Sequence, residues 1–106
     1  MSQHSGPFSV TNNTGQTISG SVSHFAEGCP NQTACSFTNL ATGQAAGGGS
    51  WQTETSSTDR WSITTNVGSI TKDCGIDSDD SSVAVTITAS GVVITPSSSS
   101  SCSGSY

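Results

Sequence analysis

Three observations predict an all-β protein, a small antiparallel β-sandwich of seven or eight short strands stapled by disulfides. The first is the stretch from Ser82 to Ser90. Val83, Val85, Ile87 and Ala89 fall on one face of an extended chain there, and Ala84, Thr86, Thr88 and Ser90 on the other, which is the period of a half-buried strand. The second is punctuation: Gly, Asn, Ser and Pro clusters recur between short alternating runs, and no segment carries a helical apolar period. The third is a thin core held by cysteines, since hydrophobic residues make up 30% of the chain and charged residues 8%, with four cysteines. Ordering a residue costs roughly 1–2 kcal/mol of backbone entropy, so so few apolar groups need cross-links to offset it. The 106 residues form one domain, with residues 1–6 and 97–106 expected as terminal extensions.

The elements follow in order. Phe8, Val10 and Asn12 alternate with Ser9 and Thr11 as a first strand, Asn12-Asn-Thr-Gly15 reads as a turn, and Gln16 to Phe25 returns with Ile18, Gly20, Val22 and His24 on one face. This reads as a hairpin. Glu27 to Cys35 is a loop, Ser36 to Leu40 a strand, and Ala41 to Gly49 a mobile glycine-rich connection. Trp51, Thr53 and Thr55 share a face of the next strand, and Trp61, Ile63 and Thr65 of the one after the turn at Ser56 to Asp59. Asn66 to Lys72 is a weaker strand with a bend near Gly68, and Asp73 to Asp80 is a carboxylate-rich loop. Gly91 permits the reversal of the main hairpin, and Pro96 ends Val92 to Thr95 by removing a donor.

The formal net charge is −5, with Arg60 and Lys72 the only fixed cations, so no basic patch meets a run of phosphates. Nucleic acid is not an expected partner. No apolar run approaches the roughly 20 residues of a transmembrane helix. Met1 to Pro7 lacks the apolar core of a signal peptide, and the cysteine usage points to a secreted or extracellular protein. Its leader was therefore removed or its route is non-classical.

Disulfides are common in small exported domains, and of the three possible pairings Cys29–Cys35 with Cys74–Cys102 is preferred; neither spacing suits a zinc site. Asp77, Asp79 and Asp80 are the candidate metal ligands. Ser82 and Thr88 stand where an EF-hand needs its sixth-position Gly and twelfth-position Glu, so calcium is an option only at a different kind of site, and no cofactor is expected. His4 and His24 are the only histidines, with His24 read as structural. Glu27, Glu54 and Asp59 are the carboxylates from which a glycosidase pair would be drawn, but no spacing selects two. No Gly-x-Ser-x-Gly elbow occurs. An enzyme is not expected. Trp61 is assigned to the core and Trp51 is open between core and ligand contact; Trp51, Asp59 and Arg60 are the candidate ligand-binding residues, the last two as a polar rim beside Trp61. Asn12-Asn-Thr14 and Asn31-Gln-Thr33 match the N-glycosylation pattern.

Val10-Thr-Asn-Asn-Thr-Gly-Gln-Thr-Ile18, Asp59-Arg-Trp61, Cys74 and the Val-Val-Ile-Thr-Pro96 run before Cys102 resemble small acidic β-sandwich proteins of mushroom fruiting bodies, a group of immunomodulatory or defence proteins that includes lectin-like members. Asn13-Thr-Gly-Gln-Thr-Ile18 is also similar to the opening strand of aegerolysin-like lipid-binding sandwiches, whose richer aromatic content this chain lacks. The resemblance implies a non-enzymatic recognition protein that binds cell-surface glycans or glycoproteins. The expected contact loops are Cys29 to Cys35, Gly47 to Trp51 and Asp73 to Asp80. A lipid-binding or pore-forming sandwich and a self-assembling structural protein are the alternatives, and a homodimer is compatible with exposed strand edges.

Overall fold

The computed structural model describes residues 3–106, and Met1 and Ser2 lie outside the described residues. Its strands are β1 (Gln3–Asn13), β2 (Ile18–Phe25), β3 (Cys35–Leu40), β4 (Ala45–Glu54), β5 (Arg60–Thr65), β6 (Gly68–Asp73), β7 (Val83–Thr88), β8 (Gly91–Pro96) and β9 (Cys102–Ser105). They form a sandwich of two sheets, one in the order β4-β1-β7-β8-β9 and the other β3-β2-β5-β6. Period-two burial decides which side of each strand faces in. Val83, Val85 and Ile87 meet Val92 and Ile94 from the first sheet, and Ile18, Val22, Trp61 and Ile63 from the second, all in one core.

The sandwich is not purely antiparallel. β1 pairs antiparallel with β4 but parallel with β7, Phe8 standing opposite Val83 and Asn13 opposite Thr88. Parallel neighbours need a long connection, and five strands intervene between these two. The expected β1–β2 hairpin is an arch instead, because β1 belongs to one sheet and β2 to the other. Asn12 makes the corner. Its amide donates to the carbonyls of Gln16 (2.7 Å) and Leu40 (2.8 Å), and its Oδ1 accepts from the Thr14 amide (2.9 Å) and hydroxyl (2.7 Å).

The glycine-rich segment is a strand as well. Ala45 to Gly49 opens β4 and pairs with β1, and Gly49 is required because a Cβ there would collide with the Phe8 ring. Both expected extensions contain strand: Gln3 to Gly6 pair with β4, and Cys102 to Ser105 pair with β8. Each gap between the sheets is bridged. On one side Thr33 and Ser50 exchange backbone hydrogen bonds at 3.1 and 2.9 Å, and on the other the Cys74–Cys102 disulfide joins the loop after β6 to β9.

The second expected disulfide does not form, and Cys29 and Cys35 are buried free thiols. Cys35 is the first residue of β3, paired with Val22 in the core. Cys29 is held in a tight bridge to Ala26, outside that cluster. Nearness in sequence does not bring two Cβ atoms to bridging distance. Burial pushes both thiols up from their ordinary range, and at Cys29 the charge of Glu54 adds to the rise.

Candidate functional site

At one end of the sandwich β2 runs out at Phe25, β4 at Glu54, and β5 begins at Arg60. Register brings these ends together, since Phe25 stands opposite Arg60 and Gln3 opposite Glu54. Phe25 is out of phase with Ile18, Val22 and His24, so its ring lies on the outer face and is 59% exposed. Beside it opens a cleft of about 510 Å³. Glu27, Glu54 and Arg60 supply its charges, and Ser56, Ser57 and Thr58 its hydroxyls. An apolar recess of about 380 Å³, lined by Ala26, Cys29 and Pro30, also borders Phe25.

The cleft walls are short loops tied down by named bonds. Ser57 N–H donates to the Glu54 carbonyl (2.9 Å), and its hydroxyl donates to the Glu27 carbonyl (3.0 Å). Gln3 reaches across to the Gly28 carbonyl at 3.1 Å. Arg60 Nε pairs with Asp73 at 3.1 Å, both side chains more than half exposed. The guanidinium is thus already matched to a carboxylate, and among the described residues Glu27 and Glu54 have no cationic partner.

Directly beneath lies a buried polar cluster. His24 Nε2 lies 2.9 Å from Asp59 Oδ1 and its Nδ1 2.8 Å from Gln32 Oε1, and the ring packs on Trp61 with centroids 4.7 Å apart. Asp59 Oδ2 accepts from the Ile76 amide at 2.9 Å. Two loops therefore meet at His24, and a third joins them through Asp59.

Of the expected contact residues, the structure places only Arg60 on the cleft. Trp51 is fully buried, its indole donating to the Pro7 carbonyl at 3.0 Å, because the strand face it shares with Thr53 is turned into the sandwich, and the expected Gly47 to Trp51 contact loop is part of β4. Asp59 is buried as the partner of His24. Asp80 is also buried, and its oxygens accept from the amides of Asp77, Ser98 and Ser99 and from the Ser99 hydroxyl. Asp77 and Asp79 stay exposed, joined by a local turn bond of 2.9 Å. Among the described residues no three His, Cys, Asp or Glu side chains converge as metal ligands would.

Phe25 is the residue that sequence reasoning passed over. Its signal was there: a large aromatic on the polar side of an alternating strand. No family model matches the chain, and no curated protein matches it in sequence.

Proposed function

We propose that this is a non-enzymatic recognition protein that binds glycans, free or on cell-surface glycoproteins, in the cleft beside Phe25. The observation that carries the reading is the exposed Phe25 ring at the rim of a cleft lined by carboxylates and hydroxyls. An aromatic face stacks on the C–H side of a sugar ring, while hydroxyl and carboxylate oxygens accept from sugar hydroxyls. Glu27 and Glu54, without a cationic partner among the described residues, favour neutral or amino sugars over sialylated or sulfated ones, since like charges repel. Glu27 and Glu54, two of the carboxylates from which a glycosidase pair would be drawn, both line the cleft, so hydrolysis of a bound glycan would overturn the non-enzymatic reading. The disulfide supports residence in an oxidising, extracellular setting.

The test is a glycan panel read by direct binding and also scored for cleavage, with red-cell agglutination and leakage of neutral liposomes alongside. Neutral or amino glycans should bind, and Phe25→Ala should weaken that binding about tenfold while leaving the unfolding transition in place. Retained affinity in Phe25→Ala would remove the cleft from the site. Liposome leakage without glycan binding would move the protein to the lipid-directed class.

A further inference from the structure

The polar cluster under the cleft carries an inference that does not depend on what the cleft binds. Gln32 has its orientation fixed from both ends: Nε2 donates to the carbonyls of Gln52 (2.7 Å) and Cys29 (3.1 Å), and Oε1 accepts from the Gln52 amide (3.0 Å). Turning the amide over would set two carbonyls against Oε1 and an N–H against Nε2. The atom facing His24 Nδ1 at 2.8 Å is therefore an acceptor. On the other side Nε2 faces a carboxylate oxygen at 2.9 Å, also an acceptor. A neutral imidazole has one donor nitrogen and one acceptor; only the imidazolium donates from both.

We propose that His24 is a buried imidazolium whose ion pair with Asp59 and bond to Gln32 pin the two cleft-forming loops onto β2. The groups around it fit a cation. Trp61 from β5 presents its ring at 4.7 Å, within the range of cation–π attraction. The loop after β4 supplies Asp59, whose second oxygen is taken by the Ile76 amide from the loop after β6. From the loop after β2 come Gln32 and the Cys29 thiol, which senses Asp59 and Glu54. Asp59 is flanked by Thr58 and Arg60, both cleft residues, so removing a ring proton breaks one of two bonds that position the cleft wall.

The experiment is a long-range ¹H–¹⁵N correlation of the His24 ring in the intact oxidised protein at neutral pH, with carbonyl ¹³C shifts for Asp59. The expected result is two protonated nitrogens and an ionised carboxyl. As the pH is raised, loss of one ring proton should coincide with about a tenfold drop in the protection factors of the Gln52 and Ile76 amides, taken relative to the base-catalysed intrinsic rate, since their acceptors are the cluster itself. A bare ring nitrogen at neutral pH, or a protonated Asp59 beside a neutral ring, would overturn the proposal. So would ring titration that leaves the protection factors of both amides unchanged. Asp59→Asn should convert the ring to its neutral form; if that variant does not fold, the wild-type spectrum decides alone.

Discussion

Asn12 uses every polar atom of its side chain inside the sandwich, whereas Asn31, in the same three-residue glycosylation pattern, is exposed on a loop with only its backbone amide engaged, by Gln52 at 3.0 Å. Removing the Asn12 amide orphans the buried Leu40 carbonyl and loosens the Gln16 carbonyl and the Thr14 turn. An unsatisfied buried group costs roughly 1–3 kcal/mol, so Asn12→Ala should lower the unfolding free energy by about 3 kcal/mol in urea titrations. Asn31→Ala should stay within about 0.5 kcal/mol. In a eukaryotic secretory host, peptide mapping should find glycan on Asn31 and none on Asn12. Nothing in the sequence pattern separates these two asparagines, because the pattern records chemistry and the difference is burial. Phe25 shows the converse: its parity against His24 was readable, but its meaning needed Glu54 and Arg60 beside it, which only register supplies.

Strands whose two faces see different solvents were legible element by element. β2, β5, β7 and β8 follow the alternation, since period-two burial writes itself into composition. The start of β4 did not, because glycines carry no face; what makes Gly49 a strand residue is the Phe8 ring packed on it from β1. The β1–β2 connection was misread since Asn and Gly serve an arch between sheets as well as a hairpin within one. The loop before β7 has its own logic, which was also hidden. Burial pushes the Asp80 carboxyl up, but hydrogen bonds from Ser99, Asp77 and Ser98 outweigh it and hold the group below its ordinary value of 3.8. A depressed carboxyl contributes stability that is present above the ordinary value and lost as pH falls through the folded one. Asp80→Asn should therefore destabilise by roughly 3 kcal/mol near neutral pH, measured by denaturant titration, and the gap to wild type should close in strong acid.

At the scale of the whole molecule, the fold is two sheets whose open sides are shut by different means, backbone bonds at Thr33 and Ser50 and a covalent bond at Cys74 and Cys102. Thiol titration should find no fast-reacting group in the native protein, two after denaturation, and four after denaturation with reductant, since Cys29 and Cys35 are buried and free. The disulfide spans a separation of 28 residues, for which loop-closure entropy gives roughly 3.5 kcal/mol of stabilisation. Folded domains commonly hold about 5–15 kcal/mol, so reduction should lower the transition while leaving a folded population. The same bond and Asp80 act on one segment: the disulfide anchors β9, and Asp80 holds Ser98 and Ser99 just before it. Once the anchor is cut, that segment has a low-cost way to leave β8, and Asp80 then loses partners it would otherwise keep up to global unfolding. Groups sharing a segment in this way couple instead of adding. The loss on Asp80→Asn should thus be smaller in the reduced protein than in the oxidised one. Equal losses in both would mean that β9 stays docked on its backbone pairing with β8 alone, and that the disulfide acts only on the unfolded chain.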